Sequence, residues 1–285
     1  MHAAVKRQGI RFVIVMSVLL LTVDNLSADK KQSSSEKSVY RITFDHQNPG
    51  KYTGKRMRVD WPGLEWEHCQ RAQVVSNNGP FKPVKGNALR VSYPAEQIGS
   101  LRSGAQFRVR LKPRDEYSFS YFVRCGHGDG SHWEFSKGGK LPGLGGGKCN
   151  TGGKKSTGDG WSARYMWREK GKLILYLYHL DQKSRFGDQI ALSQTLKAGH
   201  WYRLTQRIRL NTDSQANGIL QVWVDGKLKL NRKDIRFREG GQAPINRCLF
   251  ETFYGGSTQS WAPVRESLAY FDEIRIQPNP FDDLE

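Results

Sequence analysis

Short segments in which apolar and polar residues alternate make up most of the chain after residue 38, and this is the pattern of half-buried β-strands. The segments are rich in β-branched and aromatic residues, which pack well on a pleated surface. Downstream of residue 28, no long stretch repeats apolar residues every three or four positions. The pattern therefore predicts strands at Val39–Phe44, Ala88–Tyr93, Ala105–Leu111, Tyr117–Val123, Leu173–Leu180, Trp201–Leu210, Gly218–Val224 and Leu268–Ile276.

One turn can be predicted with its type. Asp225 and Gly226 separate the apolar run that ends at Val224 from Lys227 and Leu228. An Asp-Gly dipeptide between such runs favours a two-residue hairpin, because both residues tolerate positive φ. Many antiparallel strands at regular spacing predict an all-β fold, an antiparallel β-sandwich or β-jelly roll whose concave face can hold a chain-like ligand.

The amino terminus has the layout of a cleavable secretory signal. Basic residues precede the apolar run Phe12–Val23, and small residues around Ala28 follow it. We therefore expect a signal peptide over 1–28, a disordered polar tether over 29–38 and a single β domain over 39–285. The apolar run is short for a membrane span, although an uncleaved anchor is the alternative. The protein is thus expected to be secreted, either extracellular or periplasmic, and to leave the membrane after cleavage.

The mature chain is strongly basic. Removing residues 1–28 takes away three basic residues and one acidic residue, which lowers the formal charge from +18 to +16. Such a charge attracts polyanions. Nucleic acid would satisfy the charge equally well, but no nucleic-acid-binding motif is recognisable and export argues against it. The charge by itself therefore predicts a polyanionic partner, and we expect a monomeric protein.

Four cysteines remain after signal removal, and an even number in an exported chain favours disulfides. Cys125 and Cys149 flank the glycine-rich segment, so we expect them to pair with each other and Cys69 to pair with Cys248. No two cysteines have the C-x-x-C spacing of a zinc site. We expect no metal and no cofactor.

The residues with candidate chemistry lie between positions 137 and 178. A glycine-punctuated basic loop over 137–144 is followed by Ser162 and Arg164, and then by Tyr176 and Tyr178. Residues two apart in a strand point to the same face, so each pair projects from one sheet surface. Cations beside phenols can bind an anion and carry a proton. This combination is suited to removing a proton next to a carboxylate.

Several segments together resemble polysaccharide lyase family 14, a group of β-jelly-roll enzymes that includes alginate lyases and glucuronan lyases. The resemblance covers roughly residues 40 to 278. It rests on the ordered occurrence of the KGGKLPGL segment, the S-x-R pair, the Y-x-Y pair, the QANGILQVWVDGK hairpin and the segments Phe253–Ser257, Ser260–Pro263 and Ala269–Ile274.

This resemblance implies a concanavalin-A-like fold and β-elimination in a uronate polymer such as alginate or glucuronan. Carried over by motif, the catalytic residues are Lys140, Ser162, Arg164, Tyr176 and Tyr178. Lys137 competes with Lys140 for the lysine role, and we expect Lys137 and Gly139 to contact the substrate. The alternative is a lectin-like module that binds acidic glycans without cutting them.

The same residues support this chemistry without the resemblance. Arg164, Lys140 and Ser162 are expected to neutralise the C6 carboxylate while C5 loses its proton. Nearby cations should lower a tyrosine pKa from its reference of about 10, so that a tyrosine, for which we favour Tyr178, accepts the proton. The chain offers few other candidates, since its histidines fall in no recognisable constellation. The carboxylate pair of Glu65 and Glu67 is the one hint of a glycosidase.

Overall fold

Two antiparallel sheets make up the part of the chain that the structure describes, residues 40–282 of a computed structural model. The predicted signal peptide and tether lie outside these residues. The first sheet has nine strands: β1 Tyr40–Ile42, β2 Gly50–Lys51, β4 Ala72–Ser76, β5 Asn87–Tyr93, β7 Glu116–Cys125, β12 Trp201–Arg209, β13 Gly218–Val224, β14 Lys227–Ile235 and β16 Ser267–Pro278. The second has seven: β3 Leu64–His68, β6 Ala105–Arg114, β8 Gly138–Gly147, β9 Gly160–Arg168, β10 Lys172–Tyr178, β11 Asp188–Thr195 and β15 Ile245–Tyr254.

The predicted all-β sandwich is confirmed. Strand order in the second sheet is β11-β10-β9-β8-β15-β6-β3, and in the first it is β14-β13-β12-β7-β16-β5-β4-β2, with β1 paired to β16. The main core lies between the sheets and contains the inward residues of both. Helical structure in the described residues is limited to α1 (Lys55–Asp60) and two 3-10 turns, Glu169–Gly171 and Gln259–Trp261. No helix in residues 40–282 is long and apolar enough to cross a membrane.

The Asp-Gly hairpin has the predicted geometry. Val224 pairs with Lys227, and the two residues between them, Asp225 and Gly226, have φ of 50° and 74°. Positive φ at both central residues is the type I′ turn, whose twist matches that of the strands it joins. Local sequence was therefore sufficient to place this turn.

The segment predicted as a glycine-rich basic loop is instead part of a strand, so that prediction was wrong. Residues 138–147 form β8, which pairs with β9 on one side and β15 on the other. Glycines replace side chains there because neighbours approach closely: a Cβ at Gly139 would lie 2.0 Å from Trp167 Cζ2, and one at Gly143 would lie 2.0 Å from the Ala163 carbonyl oxygen. Pro142 falls in a register shift between Lys140 and Gly143, where a missing N–H is tolerated.

The expected disulfides are not formed, since all four cysteines of the described chain are buried free thiols. Cys125 ends β7 in the first sheet, whereas Cys149 follows β8 in the second. Cys69 directs its sulfur to the Gln106 carbonyl oxygen, 3.6 Å away. Cys248 lies on β15 opposite Val109 and Leu144. Burial raises the pKa of every one of these thiols, which keeps them protonated and unreactive.

The close contact at Gly139 generates a stability prediction. Gly139→Ala should lower the free energy of unfolding by about 1–3 kcal/mol, because the new methyl group would overlap the Trp167 ring and the Phe253 carbonyl oxygen. Gly241→Ala is the matched control, since no atom lies within 4 Å of a Cβ there and its φ is not positive. Urea unfolding of both variants measures the difference. Equal stability of the two variants would contradict the packing role of Gly139.

Candidate active site

The predicted catalytic residues lie on the face of the seven-stranded sheet that points away from the main core, called the outer face below. Along β9 the odd-numbered residues Trp161, Ala163, Tyr165 and Trp167 belong to the core, so the even-numbered ones face outward. Register places Arg164 opposite Tyr176 and Ser162 opposite Tyr178 on β10. The i, i+2 prediction for both pairs is therefore met by the strand geometry.

Lys140 reaches the tyrosine pair from β8. Its Nζ lies 3.8 Å from the centroid of the Tyr176 ring and donates to Met166 Sδ at 2.9 Å. Met166, Ile174, Tyr176 and Tyr178 form a small apolar cluster separate from the core. Burial is the main cause that lowers the pKa of the Lys140 amine well below its usual range; Arg164 and Arg168 add to it, while Glu251 opposes them.

The tyrosine hydroxyls contact each other. Tyr176 Oη lies 3.2 Å from Tyr178 Oη, and the Tyr178 oxygen accepts a hydrogen bond of 2.9 Å from the Gly153 amide. Burial raises the pKa of Tyr176 most, and the hydrogen bond and charge of Tyr178 raise it further; Arg164 only partly opposes them. The expectation that cations lower the tyrosine pKa was therefore wrong for Tyr176, because desolvation outweighs the nearby charge.

Arg164 is 2% exposed and pairs with a carboxylate that the sequence analysis missed. Its Nη1 donates to Glu251 Oε2 on β15, two strands away. The position opposite Arg164 on the intervening strand is Gly143, which has no side chain to block the contact. Arg164 Nε and Nη2, the parallel side-on donors of the guanidinium group, are buried and have no hydrogen-bond partner among the described residues.

The other predicted site residues are placed differently. Ser162 is fully buried and donates to the Asn150 carbonyl oxygen at 2.6 Å, so it anchors the segment after β8. Lys137 is exposed and precedes β8, where its carbonyl oxygen accepts from Arg168 Nη1 at 3.3 Å. Gly139 is buried opposite Trp167 and Tyr254, which belong to the core. Lys140 is therefore the lysine that the fold brings to the tyrosines, and Gly139 does not reach the outer face.

Additional outer-face residues could have been found by extending the alternation. Met166 and Arg168 continue the series begun by Ser162 and Arg164. Arg168 donates to Gln189 Oε1 from Nε at 3.1 Å and lies 5.5 Å from the Trp261 ring centroid. Glu251, by contrast, carries no local signal, because only the sheet register brings β15 near β9.

The other candidate side chains form ion pairs or hydrogen bonds outside this group of residues. Glu65 pairs with Arg110 at 3.1 Å and Arg247 at 2.7 Å, and Glu67 accepts from the Cys69 amide at 2.8 Å, so they do not form a glycosidase pair. His179 has an acidic partner that the sequence did not reveal, Asp188, at 2.8 Å. Among residues 40–282 no group of three or more His, Cys, Asp or Glu side chains is placed to hold a metal ion.

Comparisons with known proteins agree with this fold. A sequence profile of polysaccharide lyase 14 matches residues 82–274. The alginate lyase Aly36B has 25% sequence identity and a TM-score of 0.73 over 87% of this chain and 99% of its own. The PL-14 alginate lyase from Aplysia kurodai has 20% identity and a TM-score of 0.71 over 85% and 99%. The endo-β-1,4-glucuronan lyase from Trichoderma reesei has 14% identity and a TM-score of 0.51 over 76% and 92%.

A search of curated proteins found no significant match. The family assignment rests on the profile, which covers more than half of the chain, and on the shared two-sheet fold. The chain belongs to the polysaccharide lyase 14 family and is a polysaccharide lyase.

Proposed function

We propose that this lyase cleaves a uronate-containing polysaccharide, alginate or glucuronan, by β-elimination. The observation that carries the proposal is the grouping of Lys140, Arg164, Tyr176 and Tyr178 on one outer face, with two parallel Arg164 donors unpartnered. An Aly36B variant at 25% identity has been solved in complex with an alginate trisaccharide, which supports an acidic polysaccharide as the substrate class.

Neutralising the C6 carboxylate is the first requirement of this reaction. Removing the C5 proton builds negative charge on that carboxylate, so donors positioned for it stabilise the transition state more than the ground state. Arg164 Nε and Nη2 present the fork geometry that binds a carboxylate through two hydrogen bonds. Glu251 holds the third nitrogen and so fixes the orientation of the fork.

Lys140 supplies a second positive charge once the substrate carboxylate has arrived. In the free protein its amine lies over an aromatic ring and against a thioether, and its pKa is lowered chiefly by burial. An arriving carboxylate would favour the protonated amine, because an opposite charge nearby stabilises the charged form. Since Arg164 is only 2% exposed, the side chains over it must move apart when the substrate enters.

The tyrosine pair supplies the proton transfers. The raised pKa of Tyr176 keeps its hydroxyl protonated, which suits it to donate to the leaving O4 oxygen. In this scheme Tyr178 enters the reaction as phenolate and accepts the C5 proton, and the C4–O4 bond breaks as the C4–C5 double bond forms. The proton then passes from Tyr178 to Tyr176 across their 3.2 Å contact, which restores the starting state.

Ser162 has a supporting role in this proposal. It was expected to donate to the substrate carboxylate, but its hydroxyl is buried against Asn150. It holds the segment that also provides the Gly153 amide for Tyr178. In this proposal Lys137, which is exposed beside the strand, contacts substrate outside the reacting sugar.

The lectin-like alternative is not favoured. Binding an acidic glycan requires cations, but it does not require two hydroxyls in contact beside them.

We also propose that the protein is exported, on the basis of the basic, apolar and small-residue pattern of residues 1–28.

The lysine charge predicts a pH effect. The protonated amine is needed, so kcat/KM should fall as pH rises through the lowered pKa of Lys140. Lys140→Arg keeps its charge at alkaline pH, so this falling limb should move to higher pH even if turnover is reduced. Lys137→Arg is the control and should keep the wild-type profile. An unchanged falling limb in Lys140→Arg would assign the limb to another group.

The fork geometry of the Arg164 guanidinium predicts that a lysine at this position, although it keeps the positive charge, will not preserve activity. Arg164→Lys should reduce kcat by about a hundredfold or more, because one ammonium group cannot both bind the carboxylate through two parallel hydrogen bonds and hold Glu251. The control is Arg207→Lys, which alters an Arg–Glu pair on the other sheet. Thermal unfolding verifies that both variants fold. Full activity in folded Arg164→Lys would show that only the positive charge matters.

The decisive test of the proposed function measures the ultraviolet absorbance of the unsaturated uronate product on alginate and glucuronan. Wild type should form this product, and Tyr178→Phe should lose at least about a hundredfold in kcat while its ring packing and polyuronate binding remain. Tyr176→Phe should also be impaired, because it loses the proton donor.

Tyr202→Phe, outside the outer face, is the matched control for removing a buried hydroxyl. A fully active Tyr176→Phe, Tyr178→Phe double variant would refute the proton-transfer scheme. Binding of polyuronate without any product from wild type would instead support the lectin-like alternative.

A further inference from the structure

An exposed tryptophan lies on the outer face at the edge of the seven-stranded sheet. Trp66 is on β3, the terminal strand of that sheet, and 38% of the residue is exposed. Register pairs Trp66 with Arg108 on β6, and Arg108 with Leu249 on β15. Strand β15 in turn neighbours β8, the strand that carries Lys140. Phe107, the residue beside Arg108, faces the core, so Arg108 and Trp66 face outward.

Arg108 connects this tryptophan to the candidate active site. Its guanidinium carbon lies 5.4 Å from the Trp66 ring centroid, and its Nη2 lies 3.5 Å from Glu251 Oε1. The other oxygen of Glu251 accepts from Arg164. Arg108 Nε is buried and has no hydrogen-bond partner among the described residues. Arg164, Glu251 and Arg108 therefore form a row of alternating charges across the outer face, and this row ends beside the Trp66 ring.

Trp66 lies on a strand well separated from the one that carries Arg164. Four strand spacings separate β9, which carries Arg164, from β3. At about 4.8 Å each, these spacings place the two strand backbones about 19 Å apart, and the side chains of Arg164 and Arg108 reach toward each other to share Glu251. The reacting sugar and a sugar at Trp66 can therefore belong to one oligosaccharide.

We propose that Trp66 and Arg108 form a subsite for a uronate that lies beyond the reacting sugar, on the β3 side of the cleaved bond. The exposed part of the Trp66 indole packs against the apolar face of the sugar, and Arg108 pairs with its carboxylate. This inference rests on the proposed function, because it assumes that a uronate chain crosses the outer face. It adds a preference for long chains, since short ones that occupy the catalytic end cannot reach Trp66.

If Trp66 has only a packing role, a different result is expected. An exposed cation–π pair contributes only modestly to stability, and its loss would affect substrates of every length alike. Substrate length therefore separates the two roles.

The test compares kcat/KM on a trisaccharide and an octasaccharide of the polyuronate that wild type cleaves. In Trp66→Ala the ratio of octasaccharide to trisaccharide kcat/KM should fall about tenfold relative to wild type, with the octasaccharide KM accounting for the change. Trp66→Phe should restore most of the ratio, because a ring remains, whereas Trp66→Leu keeps only apolar bulk and should not. Leu228→Ala, which truncates a half-exposed residue on β14 of the other sheet, is the control and should keep the wild-type ratio.

Calorimetric binding of alginate and glucuronan octasaccharides separates failure of this inference from failure of the proposed function. Absence of unsaturated product from wild type would refute the proposed function, while about tenfold weaker octasaccharide binding by Trp66→Ala would still support the subsite. An unchanged ratio or unchanged binding in Trp66→Ala, or equal losses on both lengths, would overturn the subsite. If Trp66→Ala does not fold, the comparison of Trp66→Leu with Trp66→Phe decides in the same way.

Discussion

The buried ion pair between Arg164 and Glu251 determines how the outer face is arranged. An arginine that is 2% exposed would cost several kcal/mol without a counter-ion, and Glu251, itself 5% exposed, provides one from two strands away. The position opposite Arg164 on the intervening strand is Gly143, where a Cβ would lie 2.0 Å from the Ala163 carbonyl oxygen and 2.6 Å from Arg164 Cα. Gly143 therefore lets β8 lie close to β9 between the two charged residues, although it contributes no functional group itself.

The ion pair also organises the groups around it. Arg164 stands between Glu251 and the tyrosines, and its charge adds to the effect of burial in lowering the pKa of Lys140. Burial and the charge of Arg164 disfavour the protonated form of the Lys140 amine until an anion arrives. The site is thus prearranged for a negative charge that develops during the reaction, which is the electrostatic condition for stabilising a carboxylate-linked carbanion. The tyrosine hydroxyls remain in contact beside these cations and can move protons without adding charge.

Burial of both faces of a strand explains which strands the alternation of apolar and polar residues did not predict. Strands β5, β7, β12, β13 and β16 were predicted within a few residues, since their apolar and polar positions show the alternation or aromatic enrichment of a sheet. Strands β8 and β9 lie in the interior of the second sheet, and almost every residue in them is buried. Their outward residues are covered by neighbouring segments, so the alternation disappears. The glycines of β8 then suggested a loop, because turns and close packing both select glycine.

The sequence by itself determined the fold class, the Asp-Gly hairpin and the pairing of Ser162 with Arg164 and Tyr176 with Tyr178 on one face, because these follow from local backbone geometry. It also contained the ordered motifs of the polysaccharide lyase 14 family. Only the tertiary structure decided that Lys140 rather than Lys137 reaches the tyrosines, that Glu251 holds Arg164, and that the cysteines stay apart. Each of these depends on register between strands distant in sequence, and such register is set by packing of the whole sheet.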